Sequence, residues 1–201
     1  MVWANLADIN SVDMQDLREY MSRPVDSVLE LVGQREGDFV IYGASGKFMR
    51  DVTLMILRSI SETGTTNRTV HLVSSLREKP DFAELIEPYS DLIVDHRVDL
   101  LEARASDLAG VPTDAPSVLY GAGYKFFNPE EETLEEYILK VNRFGEEIPL
   151  MVFGHHQEGD VVIMGSYNGL KPSHFNQPAT EAAELEPEPD IEPLTDCVPC
   201  P

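Results

Sequence analysis

The chain has 201 residues, 42% of them hydrophobic, which suits one α/β domain with extensions rather than two full domains. Its 36 acidic residues against 15 basic ones leave a net charge of −21, which repels phosphate backbones and anionic membranes and argues against nucleic acid as a partner. No run of about 18 apolar residues occurs, and the start Met1-Val2-Trp3-Ala4-Asn5 lacks the basic and apolar regions of a signal peptide, so a soluble cytoplasmic protein is expected.

The only lysines are Lys47, Lys79, Lys125, Lys140 and Lys171, a scarcity that fits either a salt-adapted surface or an ordinary acidic protein. Both cysteines, Cys197 and Cys200, stand at the very end, which provides neither a disulfide framework nor four zinc ligands and fits a reducing compartment.

Apolar residues at helical spacing from Asp13 to Gly33, interrupted by Ser22-Arg23-Pro24, predict two lead-in helices, with Pro24 in the first turn of the second and Gly33 at its end. Phe39-Val40-Ile41-Tyr42 then reads as a buried first strand. Val52, Met55, Ile56, Leu57 and Ile60 form the apolar face of a helix ending near Gly64, and Thr69 to Val73 reads as a second strand. A helix through Phe82, Leu85 and Ile86 precedes a third strand at Leu92-Ile93-Val94 and a short run at Val98-Asp99-Leu100. Val118-Leu119-Tyr120 is the expected fourth strand, Leu134 to Phe144 a helix, and Val161 to Met164 a fifth strand.

This alternation predicts an α/β, Rossmann-type doubly wound parallel sheet. Three regions are expected: a helical lead-in over 1–37, the nucleotide-binding domain over 38–172, and an acidic, proline-rich tail over 173–201. The repeated Glu-Pro steps of Glu181 to Pro193 bury too little apolar surface to order such a tail.

Gly43-Ala44-Ser45-Gly46-Lys47-Phe48-Met49 lies between a predicted strand and a predicted helix, the context of a dinucleotide phosphate loop. Gly43 permits the tight turn, Gly46 lets backbone approach the pyrophosphate, and the helix starting near Phe48 offers free amides and the positive end of its dipole. Met49 stands where a third glycine is usual, so its side chain is expected to push helix from strand. The loop is not a Walker loop, because the spacing to Lys47 differs and no Ser or Thr follows that lysine. After the second strand, Ser74-Ser75-Leu76-Arg77 offers no carboxylate for a ribose diol. Arg77 either meets a 2′-phosphate, favouring NADP over NAD, or is an exposed loop arginine.

Together these segments resemble the extended short-chain dehydrogenase/reductase superfamily in its NAD-dependent epimerase/dehydratase branch. The resemblance runs through Ser22-Arg23-Pro24, the loop Gly43 to Met49, Asp99-Leu100, Tyr120-Gly121-Ala122-Gly123-Tyr124-Lys125-Phe126, Val141-Asn142 and the strand ending at Ser166. It implies that Asp99 and Leu100 lie by the adenine and that Gly121-Ala122-Gly123 passes along an NAD or NADP cofactor. It also implies a chemistry in which a tyrosine phenolate takes a hydroxyl proton, a lysine lowers the tyrosine pKa and a Ser or Thr positions the substrate.

Ser166 matches that serine. The tyrosine position falls near Glu192-Pro193, and no tyrosine follows Tyr167. Tyr167-Asn168-Gly169-Leu170-Lys171 satisfies Tyr-x-x-x-Lys literally, but Asn168-Gly169 is a turn signal, Pro172 follows at once, and Ser166 adjoins the tyrosine, so Tyr167 and Lys171 form a decoy pair. His155-His156 with Glu158 reads as a solvated loop rather than a metal cluster, and no metal site is expected. Cys197 and Cys200 have redox-dithiol spacing without the flanking strand and helix. Tyr124, Phe126 and Phe127 either line a pocket or pack against the sheet.

Three readings remain open from sequence: an NAD(P)-dependent epimerase, dehydratase or reductase acting on a sugar nucleotide or related hydroxyl compound, a non-catalytic nucleotide-binding or scaffold subunit, and a truncated fragment. A homo-oligomer is compatible with each.

Overall fold

The computed structural model describes residues 14–65, 67–75, 80–124 and 127–164. The chain divides into two compact units, Met1–Met164 and Gly165–Pro201, and all the described residues belong to the first. Five parallel strands, β1 (Phe39–Tyr42), β2 (Val70–Ser74), β3 (Ile93–Arg97), β4 (Ser117–Tyr120) and β5 (Asp160–Ile163), lie in the order β3-β2-β1-β4-β5. Phe39 is in register with Val70 on one side and Ser117 on the other, so the first strand in sequence is the central one in space. The expected α/β Rossmann-type sheet is the observed fold.

The helices are α1 (Met14–Met21), α2 (Asp26–Gln34), α3 (Met49–Thr63), α4 (Pro80–Ile86), α5 (Leu134–Asn142) and α6 (Ile148–His155). All of β1 is buried, as a strand covered on both faces must be. Phe39 and Ile41 face one layer, where Val32 of α2, Leu57 and Ile60 of α3 and Phe82 of α4 close over Val70 and Leu72. Val40 and Tyr42 face the other, built with Val73, Val118, Tyr120, Leu108, Val111 and, from α6, Ile148 and Val152. Each fully buried aliphatic side chain of this kind contributes roughly 1.5–3 kcal/mol. Gly64, at φ 64°, terminates α3 in the left-handed conformation that glycine adopts without a Cβ penalty.

Several boundaries differ from the sequence expectation. Pro24 lies two residues before α2 and Gly33 lies inside it, because the helix runs to Gln34 and ends at Arg35. The third strand is shifted to Ile93–Arg97, and Val98 continues it by donating to the carbonyl of Ser74 at 3.0 Å. The helix expected to end at Phe144 gives way to a π-helical stretch, Arg143–Glu147, and then to α6, which was not anticipated. That segment is apolar on all sides and carries Pro149 in its first turn, where a missing N–H costs nothing, so it shows no helical period to read.

α6 also corrects the reading of His155-His156 as a solvated loop. His156 ends α6 at 1% exposure, and its Nε2 lies 2.8 Å from the Tyr42 hydroxyl. His155 shares a hydrogen bond with the Val111 carbonyl at 3.0 Å, while Glu158 is exposed. Among the described residues no group of three or more His, Cys, Asp or Glu side chains could hold a metal ion, and no helix is long and apolar enough to cross a membrane.

Burial, with a smaller contribution from His155, pushes the His156 imidazole down to about 4. In the unfolded chain the ring titrates near 6.5, so between those values the unfolded state holds a proton that the folded state refuses. Stability from this group is therefore present above about pH 6.5 and is lost as pH falls towards about 4, by on the order of 3 kcal/mol in full. Urea denaturation of wild type and His156→Phe should show a stability gap that is widest at pH 7 and narrows steadily to pH 4.5; a constant gap would contradict a neutral buried imidazole.

Candidate functional site: a cleft at the carboxyl ends of the strands

The strand order reverses between β1 and β4, and at such a switch point the loops leaving two neighbouring strands diverge and open a crevice. Here that crevice is a cleft of about 670 Å³. From the turn after β1 it is lined by Gly43, Ser45, Gly46, Lys47 and Phe48, and from the ends of β2 and β3 by Ser74, Asp99 and Leu100. The segment after β4 adds Gly121, Ala122 and Gly123. Every cofactor-binding residue named from the sequence thus lies in one cleft, except Arg77, which falls outside the described residues. Ser166, Tyr167 and Lys171 also fall outside them.

The turn after β1 is shaped by two constraints. Gly43 sits at φ 76°, and a Cβ there would lie 2.7 Å from the backbone N and Cα of Ala122, so only glycine lets the two loops pass. The Gly46 amide then donates to the Gly43 carbonyl at 2.8 Å and closes a tight turn. Phe48 precedes α3 in helical conformation with no side-chain cap. Among the described residues no carbonyl accepts from the amides of Lys47, Phe48 or Met49. Unsatisfied amides at the positive end of a fifteen-residue helix, beside a glycine turn, form a site for an anion such as a phosphate.

Met49 does not force α3 from the sheet as expected. Its side chain is 1% exposed and lies over Gly121, occupying the space that a Cβ at Gly121 would take. The missing third glycine on the helix is compensated by a glycine on the facing segment.

The far wall combines backbone and aromatic surface. The Gly121 amide donates to the Tyr42 carbonyl at 3.1 Å, which carries the sheet pairing one residue into the cleft wall. Below it, Tyr120 donates to the Phe144 carbonyl at 2.7 Å, and burial pushes the phenols of Tyr42 and Tyr120 well up, so both stay protonated. Asp99 accepts from the Leu101 amide at 3.1 Å, which fixes the turn after β3, and Leu100 is 5% exposed.

Four lining residues were not singled out from the sequence: Met21 of α1, Asp51 of α3, Ser75, and Phe144 of the π-helical stretch. Asp51 could have been found, since it stands in the first turn after the loop. Met21 could not, because its place depends on how α1 docks: Glu19 pairs with Arg58 of α3 at 2.5 Å and Arg18 with Asp81 of α4 at 3.5 Å. Tyr124 and Phe127 pack against Tyr137 of α5, with ring centroids 6.0 and 5.4 Å away, rather than against the sheet. Phe126 lies outside the described residues.

No protein-family profile matches the chain, and no curated protein sequence does. Among solved structures it is similar to a short-chain dehydrogenase from Streptomyces avermitilis, with a TM-score of 0.50 and 17% identity over 68% of this chain and 52% of that one. It is also similar to an NADPH-bound carbonyl reductase from chicken fatty liver, with a TM-score of 0.39 and 16% identity over 60% of this chain and 46% of that one. The chain thus spans about half the length of each. The first likeness is one of fold, the short-chain dehydrogenase type of Rossmann sheet.

The Met49–Gly121 packing has a direct test. Gly121→Ala should cost about 1–3 kcal/mol of stability through overpacking against a methionine with no room to move. In a Met49→Ala background the same change should cost nothing further, and equal losses in both backgrounds by urea denaturation would show that the two positions are not coupled.

Proposed function

We propose that the chain binds a nicotinamide dinucleotide, NADP or NAD, in this cleft and is related to the NAD-dependent epimerase/dehydratase branch of the short-chain dehydrogenases. The observation that carries the reading is the convergence of the glycine turn and the uncapped start of α3 with Asp99-Leu100 and Gly121-Ala122-Gly123 around one crevice. The helix end supplies amides for a pyrophosphate, with Lys47 exposed beside them. Leu100 and Phe144 offer apolar surface for a flat ring at the β3 end, and Asp99 a carboxylate acceptor. Ser74 and Ser75, at the end of β2, present no fixed negative charge to a 2′-phosphate, which with Arg77 favours NADP.

When bound, such a cofactor supplies hydride transfer to or from a hydroxyl carbon, and the substrate class is a sugar nucleotide or related hydroxyl compound. Ser166 is the residue proposed to position the substrate hydroxyl. Among the described residues lining the cleft there is no tyrosine, which favours a second reading: a nucleotide-binding subunit without turnover. A cytoplasmic protein that can self-associate fits both.

Calorimetric titration with NADPH and NADH tests the binding step, with NADPH expected to bind more tightly and Arg77→Ala expected to bring the two level. Lys47→Glu alters an exposed side chain, so Tm should hold while the Kd for NADPH rises about tenfold, or about 1.4 kcal/mol. No heat with either dinucleotide would overturn the proposal. Turnover of a hydroxyl substrate that survives Tyr167→Phe would exclude Tyr167 as the acid/base group.

A further inference from the structure

The cleft wall Gly121-Ala122-Gly123 carries almost no side-chain volume, so its own contacts cannot hold it at a set distance from the phosphate turn. What holds it lies just beyond. Tyr124 follows Gly123 directly, and its hydroxyl donates to the Glu132 carboxylate, 3.1 Å from both oxygens. The same carboxylate receives Lys140 Nζ of α5 at 2.8 Å and the Asn128 amide at 3.4 Å. Lys140 Nζ also stands 5.1 Å from the centre of the Tyr124 ring, as a cation over an aromatic face. That ring stacks on Phe144 at 11° with centroids 6.4 Å apart, and Phe144 lines the cleft.

The Glu132 side chain is 3% exposed in a chain of 36 acidic residues, where an acidic group is expected on the surface. A carboxylate is withdrawn from water only where its acceptor oxygens are filled, and here three donors from two separate segments fill them. The donors are also the two ends of one wall: Tyr124 closes the glycine segment after β4, and Lys140 belongs to the helix that leads into Phe144. The Lys140 ammonium, with help from the Tyr124 hydroxyl, holds the Glu132 carboxyl below its usual range, and Glu132 in turn raises Lys140.

We infer that Glu132 is a positioning residue for the cleft: by clamping Tyr124 to Lys140 it sets the distance between the Gly121–Gly123 wall and Phe144 that a bound dinucleotide needs. The inference rests on the dinucleotide reading above. It assigns no chemistry to Glu132, which acts through Tyr124 and Lys140 and not on the ligand.

The test compares Glu132→Gln with Thr133→Ala. Thr133 is the adjacent residue, and its hydroxyl caps α5 by accepting from the Glu136 amide at 3.2 Å, so its loss weakens the helix without touching Tyr124. Amide hydrogen exchange across Gly121–Tyr124 and the Kd for NADPH are measured on the full chain, well below either Tm. Glu132→Gln is expected to speed exchange in that segment and to raise Kd, each about tenfold, while Thr133→Ala lowers Tm and leaves both readouts unchanged. Equal changes in the two variants would reduce Glu132 to a general stabiliser of α5 and overturn the inference. Faster exchange with an unchanged Kd would overturn the link to the ligand. Failure of the wild-type chain to bind would instead sink the dinucleotide reading, and the exchange comparison would still decide whether the clamp exists.

Discussion

The close passage of Gly43 and Ala122 sets the geometry of the cleft. Two strands that are neighbours in the sheet send their loops in opposite directions, and these loops part with no space between their backbones for a single carbon atom. A side chain at Gly43 would drive the segments apart, tilt the start of α3 away from the crevice and unseat its free amides. The left-handed φ of Gly43 and the compact turn closed by Gly46 follow from the same requirement. So does burial of the paired tyrosines immediately beneath, since Tyr42 and Tyr120 are the last residues of the two diverging strands and sit directly opposite each other.

Those tyrosines show how a crowded seam is kept rigid. Each carries a polar hydroxyl into an apolar layer, and each finds a partner there, Tyr42 at His156 and Tyr120 at the Phe144 carbonyl. The partners come from segments flanking α6, so the layer opposite α3 is fastened to the strand ends that carry the cleft. Tertiary packing thereby transmits the position of a late helix to an early loop. Met49 and Gly121 do the same on the other side of the seam by exchanging volume between helix and strand end.

Much of this was legible in the sequence. The parallel order could be read because β1 is an unbroken apolar run and because helical and strand periods alternate down to Ile163. The glycine turn could be read because its residue types answer backbone demands that few other residues meet. Asp99, Leu100 and Gly121 to Gly123 were accessible only through family resemblance, since nothing local distinguishes them from ordinary loops. The failures have a physical pattern. α6 shows no period because all its sides are apolar, so its histidine was mistaken for a solvated one. Met21 and Phe144 reach the cleft through long-range docking, and the clamp at Glu132 depends on a carboxylate buried among donors from two segments, an arrangement that composition in a strongly acidic chain conceals. Met49 was read from a helix–strand pair alone, whereas the space it uses belongs to a third segment.

The central place of β1 also has a kinetic side. Its pairing with β2 closes a short stretch of chain through α3, whereas its pairing with β4 must wait until Ser117 to Tyr120 have been brought back across the intervening β2, α4 and β3. The entropy of closing the longer loop falls entirely on that second pairing. The β1–β4 seam is therefore the late step in assembling the sheet, and the crevice at its upper end comes into being only with it. A ligand spanning the two sides of that crevice would act as a latch on the most recently formed contact, lengthening the lifetime of the folded chain more than it quickens its formation.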